Sequence, residues 1–85
     1  MTTTDLTYGQ LDKVLRSLGF SSRLVKGDPP ARHYKHKETG AFITLPPLPE
    51  NDRVMEHHLV AVQGTLDGFG IADRTAFAAL VQKAG

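Results

Sequence analysis

Residues 25–49 read VKGDPPARHYKHKETGAFITLPPLP, and the turns and strands in this stretch decide the fold. Its first two prolines cannot donate hydrogen bonds to a strand ladder, so residues 26–30 are predicted to form a loop. A basic strand at Ala31–Lys37 follows, and then a turn at Lys37–Gly40. The segment Ala41–Leu45 is apolar and β-prone, as expected of a well-covered strand, and prolines end it.

The residues before this stretch predict a helix and one more strand. Thr7 and Gln10 have the spacing of a capping box, so the helix is expected to begin there. Gly19 is placed to end the helix in a left-handed conformation, and Phe20–Val25 reads as the first strand. One face of the helix carries an apolar stripe at helical spacing, formed by Leu11, Val14, Leu15 and Leu18.

The residues after the stretch predict two further helices. Asn51 or Asp52 is expected to cap the first of them and Asp73 the second, because both residue types are good N-caps. In both helices apolar residues recur at helical spacing and are predicted to face the core. They are Met55, Leu59, Val62, Leu66 and Phe69 in the first helix, and Phe77, Leu80, Val81 and Ala84 in the second.

The element order is therefore α-β-β-β-α with an added C-terminal helix, in a single domain over residues 1–85. A chain of 85 residues buries one modest core. We expect an α+β fold in which helices cover one face of a three-stranded antiparallel sheet and leave the other face open.

Composition excludes several classes of protein. The chain has no cysteine, so neither disulfides nor thiolate metal sites hold it together. No apolar run approaches the roughly 18 residues that a membrane helix needs. Residues 1–9 lack the basic and apolar regions of a signal peptide. We expect a cytoplasmic protein with no membrane contact and no cofactor.

The charges are unevenly distributed along the chain. Residues 20–40 carry five cations and two anions, for a net charge of +3, whereas residues 41–85 carry a net charge of −2. Such asymmetry indicates a side of the molecule that faces a polyanion. A solvated strand face is the equally weighted alternative.

The second strand carries the residues with the most chemistry. Side chains alternate along a strand, so His33 and Lys35 share one face with Ala31, and Tyr34 lies on the other. If Tyr34 points to the helices, His33 and Lys35 face solvent together. The imidazole could then act as a general base or acid, and the ammonium could stabilise a phosphate. The competing interpretation is two polar residues on a wet sheet face.

His57 and His58 form a second histidine pair. Adjacent residues on a helix point about 100° apart, so the two rings are not expected to share a metal ion. One ring is expected beside the core near Leu59 and the other in solvent. Without cysteine and without an H-E-x-x-H pattern, a zinc centre is not expected.

The order of these motifs resembles the HicA toxin family over nearly the whole chain. The motifs follow one another in this order: a helix end, a strand end, an aromatic-basic-histidine run, a turn that ends in glycine, and an apolar strand that ends at proline. A tail typical of a longer subgroup comes last. In this sequence they are LGF at 18–20, KG at 26–27, YKH at 34–36, Gly40, FITLP at 42–46 and residues 57–80.

The resemblance implies a double-stranded-RNA-binding-domain-like fold and a metal-independent mRNA endoribonuclease that a HicB-like antitoxin protein neutralises. The family places its catalytic histidine in a Gly-Ser-His three residues before the aromatic, and that position is Ala31 here. His33 lies on the same face and is the candidate substitute, with Lys35 stabilising the phosphate and His36 as the next candidate base. Cleavage activity therefore stays open.

Two functions are compatible with the sequence. The first is a HicA-like protein that binds RNA and cleaves it if His33 can serve. The second is a non-catalytic RNA- or protein-interaction domain whose open sheet face or apolar patch binds a partner. The residues expected to contact RNA phosphates are Arg23, Lys26, Arg32, Lys35 and Lys37.

Overall fold

The computed structural model describes residues 6–28, 30–46 and 49–84. Pro29, Pro47 and the side chain of Ala84, on which parts of the sequence prediction fall, lie outside this description. The elements are α1 (Tyr8–Ser17), β1 (Phe20–Val25), β2 (Ala31–His36), β3 (Phe42–Leu45), α2 (Glu56–Gly68) and α3 (Arg74–Ala84).

The three strands form one antiparallel sheet in the order β1-β2-β3. In the register between β1 and β2, Phe20 lies opposite His36 and Val25 opposite Ala31. Between β2 and β3, Lys35 lies opposite Phe42. The α+β class, the antiparallel pairing and the element order are thus confirmed.

The helices cover one face of the sheet, and the core lies between them. Tyr34 of β2 and Ile43 and Leu45 of β3 are buried on this face. They join a helical layer whose buried members include Leu11, Leu15, Leu59, Val62, Leu66 and Phe77. Burial of this apolar set supplies the main driving force for folding.

The other face of β3 is exposed, which corrects the sequence prediction of a well-covered strand. Ile43 and Leu45 are buried, whereas Phe42 and Thr44 are exposed. A three-stranded sheet with helices on one side buries every second residue. The burial of β3 therefore alternates although its composition is apolar, and the ring of Phe42 lies in solvent.

The capping box and the glycine stop of α1 are present as predicted. Gln10 N donates to Thr7 Oγ1 at 3.2 Å, and Thr7 N donates to Gln10 Oε1 at 2.9 Å. Gly19 follows the C-cap with φ of 100°, a conformation that residues with a Cβ rarely adopt. A Cβ at this position would lie 3.3 Å from Nε2 of His36.

The predicted start of α2 at Asn51 or Asp52 is wrong. The N-cap is Met55, whose side chain makes no capping hydrogen bond. Residues 50–54 instead hydrogen-bond with Leu6 and with the first residues of α1. The backbone bonds are Tyr8 N to Asp52 O at 3.0 Å, Gly9 N to Glu50 O at 3.0 Å, and Val54 N to Leu6 O at 2.8 Å.

Apolar residues in the middle of the two C-terminal helices are buried as predicted, but those at the ends of α2 are not. Met55 and Phe69, which flank α2, are 51% and 50% exposed, because each lies just outside the helix. Asp73 caps α3 as predicted, since its Oδ1 accepts a 2.8 Å hydrogen bond from Ala76 N. Phe77 is buried beneath this helix.

In the three described ranges, no helix combines the length and the apolarity needed to cross a bilayer.

Candidate functional site

His33 and Lys35 lie together on the sheet face that the helices leave uncovered. Tyr34 between them is 2% exposed and points to the helices, which fixes the direction of its two neighbours. Residues directly opposite in an antiparallel pair point to the same side. The register therefore defines an open face, consisting of Ser21, Arg23, Val25, Ala31, His33, Lys35, Phe42 and Thr44.

The open face is basic. Arg23 of β1 lies opposite His33, one pair along the strand from Lys35, and both cations are exposed. None of the eight residues of the face is acidic. Lys26 follows β1 and Lys37 follows β2, so these two exposed cations extend the positive charge to opposite ends of the sheet. Such a strip attracts a polyanion along its length.

Arg32 does not belong to the open face, although the sequence grouped it with the other four cations. It lies opposite Leu24 and Leu45, on the side that faces the helices. There it lines a cavity of about 30 Å³, roughly the volume of one water molecule. The other lining residues are Tyr8, Asp12, Tyr34, Leu45, Pro46 and Glu50.

The ring of His33 meets the ring of Phe42. Their centroids are 4.9 Å apart and their planes are inclined at 70°, an edge-to-face contact between diagonal neighbours on adjacent strands. Within the described part of the chain, no hydrogen bond occupies the ring nitrogens of His33. Its imidazole is thus the one on β2 that remains available to a ligand.

Sequence reasoning did not place Phe42 in the site. It assigned the residue to a covered strand on the basis of apolar composition alone. The signal that could have identified it is the turn at residues 37–40. Once that turn fixes the pairing of β2 with β3, position 42 lies opposite Lys35 and therefore on the same face.

His36 has a structural role. It is buried at 6% exposure, and its Nε2 lies 3.0 Å from the carbonyl oxygen of Leu18, which can only accept a hydrogen bond. Nδ1 is therefore the acceptor, with Thr39 Oγ1 at 2.9 Å and Thr39 N at 3.3 Å. With both nitrogens used in this way, the ring ties the turn after β2 to the end of α1.

The histidine pair on α2 divides as predicted into a core-side ring and a solvent ring. His58 is half-buried, and its Nδ1 lies 2.9 Å from Tyr8 Oη, which also accepts from Met55 N at 3.3 Å. His57 is exposed, with its ring centroid 4.1 Å from that of His58. Burial, and then the neighbouring charge of His57, lower the pKa of His58.

Metal ligands are not assembled anywhere in residues 6–28, 30–46 and 49–84. No three of the histidine and carboxylate side chains described there are arranged to hold an ion. No protein family model, curated protein or solved structure matches this chain. The chemistry of the open face is therefore the basis for assigning a function.

Proposed function

We propose that this protein is a HicA-like toxin-family protein that binds RNA on the open face of a double-stranded-RNA-binding-domain-like fold. The observation that carries the proposal is the placement of Arg23, His33 and Lys35 side by side on an exposed sheet surface without an acidic neighbour. Guanidinium and ammonium groups are the usual partners of backbone phosphates.

Lys26 and Lys37 support the same proposal, because they continue the positive strip beyond both ends of the paired strands. An extended RNA strand that crosses the sheet would meet a cation at each step of its path. Arg32 is different, since it lies on the opposite side of the central strand and is not part of this strip of cations.

His33 gives this surface a route to cleavage without a metal. Its imidazole would accept the proton of a 2′-hydroxyl, and the 2′-oxygen would attack the adjacent phosphorus. The bond from phosphorus to the 5′-oxygen would break, and that oxygen would take a proton from water. Lys35 would stabilise the charge on the phosphorane. The free ring nitrogens of His33 favour this role over His36, whose nitrogens are both engaged.

A HicB-like antitoxin protein is the partner that the resemblance implies. In this proposal the antitoxin neutralises the protein by covering the open face or by blocking access to His33. The second candidate function, a non-catalytic interaction domain, rests on the same exposed surface. RNA affinity excludes a domain that binds only proteins, whereas RNA cleavage is needed to exclude a non-catalytic domain that binds RNA.

The experiment is a salt titration of RNA binding by the wild type and by single charge-removal variants. Log K should fall linearly with log salt, by about 0.7 for each single-strand phosphate neutralised. Lys35→Ala and Arg23→Ala should each weaken binding for every sequence and reduce that slope by about 0.7. Lys13→Ala is the matched control, since Lys13 is an exposed cation on α1. Absence of RNA affinity, or affinity that ignores salt, would contradict the proposal.

A further inference from the structure

Phe42 is an exposed aromatic ring on β3, the edge strand that borders the cations of the open face. The residue is 51% exposed, lies directly opposite Lys35 and contacts the ring of His33. Arg23 lies on the far side of His33, so a cation flanks the pair of rings on two sides. Keeping this apolar ring in water forgoes the free energy that its burial would release.

Phe42 differs from the other exposed apolar residues of the described chain by its surroundings. Met55, Val60 and Phe69 belong to α2 or its ends, in the helical layer. Leu24 alternates with Arg23 along β1 and therefore points to the opposite side of the sheet. Among the described residues, Phe42 is thus the only large exposed apolar side chain on the open face.

The two rings form a corner. Because their planes are inclined at 70°, both cannot lie flat against the sheet, and one ring presents its edge to the face of the other. A planar base can stack on the exposed part of the Phe42 ring while its phosphates reach the flanking cations. This combination of a stacking ring and a positively charged track is how proteins bind unpaired nucleic acid.

We propose that Phe42 is a base-stacking site and that the ligand of the open face is single-stranded RNA rather than a duplex. This inference rests on the proposed function, because it assumes that RNA binds this face. In a duplex each base is covered by its neighbours, so its face cannot reach a protein ring. Every base has a face of this kind, so the site tolerates sequence differences.

The test uses a short single-stranded RNA that contains one 2-aminopurine, whose fluorescence is quenched when it stacks. The chain has no tryptophan, so the protein contributes little to the signal. Phe42→Ala should abolish the quench and weaken binding about 5- to 150-fold, the range found for loss of one stacked base. Phe42→Tyr should retain both properties, because it keeps the ring.

Phe69→Ala is the matched control, since Phe69 is 50% exposed and lies at the end of α2 rather than on the open face. It should bind like the wild type. Phe42→Ala should leave the salt slope unchanged, because no charge is lost. A duplex of the same sequence should bind more weakly, and with equal affinity for wild type and Phe42→Ala.

The outcomes separate this inference from the proposed function. If Phe42→Ala, folded by circular dichroism, binds and quenches like the wild type, the stacking site is refuted while salt-dependent RNA binding still stands. A duplex that binds as tightly as the single strand refutes the proposed ligand class. If no RNA binds at any salt concentration, the proposed function itself fails.

Discussion

Tyr34 Oη donates a 2.7 Å hydrogen bond to Oδ1 of Asp12 and thereby ties the central strand of the sheet to α1. The other carboxylate oxygen, Oδ2, accepts a 2.8 Å bond from Arg16 Nε. The phenol thus adds a second hydrogen bond to a carboxylate that a helical ion pair already orients. It also fixes β2 with Tyr34 inward, which turns His33 and Lys35 outward.

Tyr34→Phe should destabilise the protein by about 1–2 kcal/mol, because it removes a hydrogen bond to a charged and partly buried acceptor. Urea unfolding at neutral pH measures the loss. Asp12→Asn in the Tyr34→Phe background is the control. The second substitution should cost less there than in the wild type, since the bond it would weaken is already gone. Equal costs would mean that the two side chains are not coupled.

The same bond predicts a dependence of stability on alkaline pH. Burial, and then the hydrogen bond to Asp12 and its negative charge, raise the pKa of the Tyr34 phenol. The unfolded phenol ionises near pH 10, so the unfolded state loses protons before the folded state does. The contribution of the protonated Tyr34 phenol to the free energy of unfolding is therefore full below about pH 10 and falls as the pH rises further. Tyr34→Phe should show a shallower fall in the same unfolding series.

The sequence predicted the strands and α1 because their signals are local. The capping box of Thr7 and Gln10, the stop at Gly19 and the turn at residues 37–40 each act within a few residues. The start of α2 was not predicted, because residues 50–54 bond to the backbone at the start of α1 and just before it. These bonds join residues about half of the chain apart and leave no periodic trace in the sequence.

Two glycines should respond in opposite directions to alanine. Gly19 has φ of 100° and lies against His36, so Gly19→Ala should cost about 1–3 kcal/mol through backbone strain. Gly64 lies inside α2, and a Cβ at this position would have no neighbouring atom within 4 Å. Gly64→Ala should therefore stabilise the protein by about 0.5–1 kcal/mol through helix propensity. Thermal and urea unfolding of the two variants check both signs.

His58 should make the protein less stable in mild acid. Its folded pKa is lowered by burial first and by His57 second. The unfolded state therefore takes up a proton first as the pH falls. The contribution of neutral His58 to the free energy of unfolding is full above the unfolded pKa of about 6.5. It is lost as the pH drops through the lower folded pKa. Unfolding between pH 7.5 and 5, in buffers of equal ionic strength, measures the fall.

The variants of this histidine pair separate the two causes. His58→Gln should flatten the acid dependence of stability, because it removes the titrating group. His57→Gln should preserve most of it, since burial is the larger cause and remains. A profile for His58→Gln that matches the wild type would show that other groups control stability in acid.

The candidate site was predictable only in part, for reasons visible in particular residues. Strand alternation predicted that His33 and Lys35 share an exposed face. It also implied that Arg32 lies on the other side, but the prediction of phosphate contacts considered only charge along the chain and therefore included Arg32. Phe42 required the register of β3 against β2, and the role of His36 required the position of the Leu18 carbonyl. Both depend on contacts between separate elements.

The prediction for cleavage concerns the imidazole of His33. If the protein cleaves RNA, His33→Ala should lower the rate about 10²- to 10⁴-fold, the usual contribution of general acid–base catalysis. The unfolding free energy should fall by no more than about 0.5–1.5 kcal/mol, because the ring contacts Phe42 but makes no hydrogen bond within the described residues. His36→Ala should instead destabilise the fold by about 2–4 kcal/mol, since it removes buried bonds and packing.

The decisive comparison uses purified wild type, His33→Ala and His57→Ala on a labelled RNA, with and without chelator. His57 is an exposed histidine on α2, so its removal controls for loss of an imidazole elsewhere. The chelator should not affect the rate, because the imidazole takes the 2′-hydroxyl proton directly. An active wild type matched by His33→Ala would refute the role of His33. A wild type that binds RNA with the expected salt slope but leaves it intact would assign the open face to binding alone. The reason would then be Ala31, which stands where the HicA family that the sequence resembles carries its catalytic histidine.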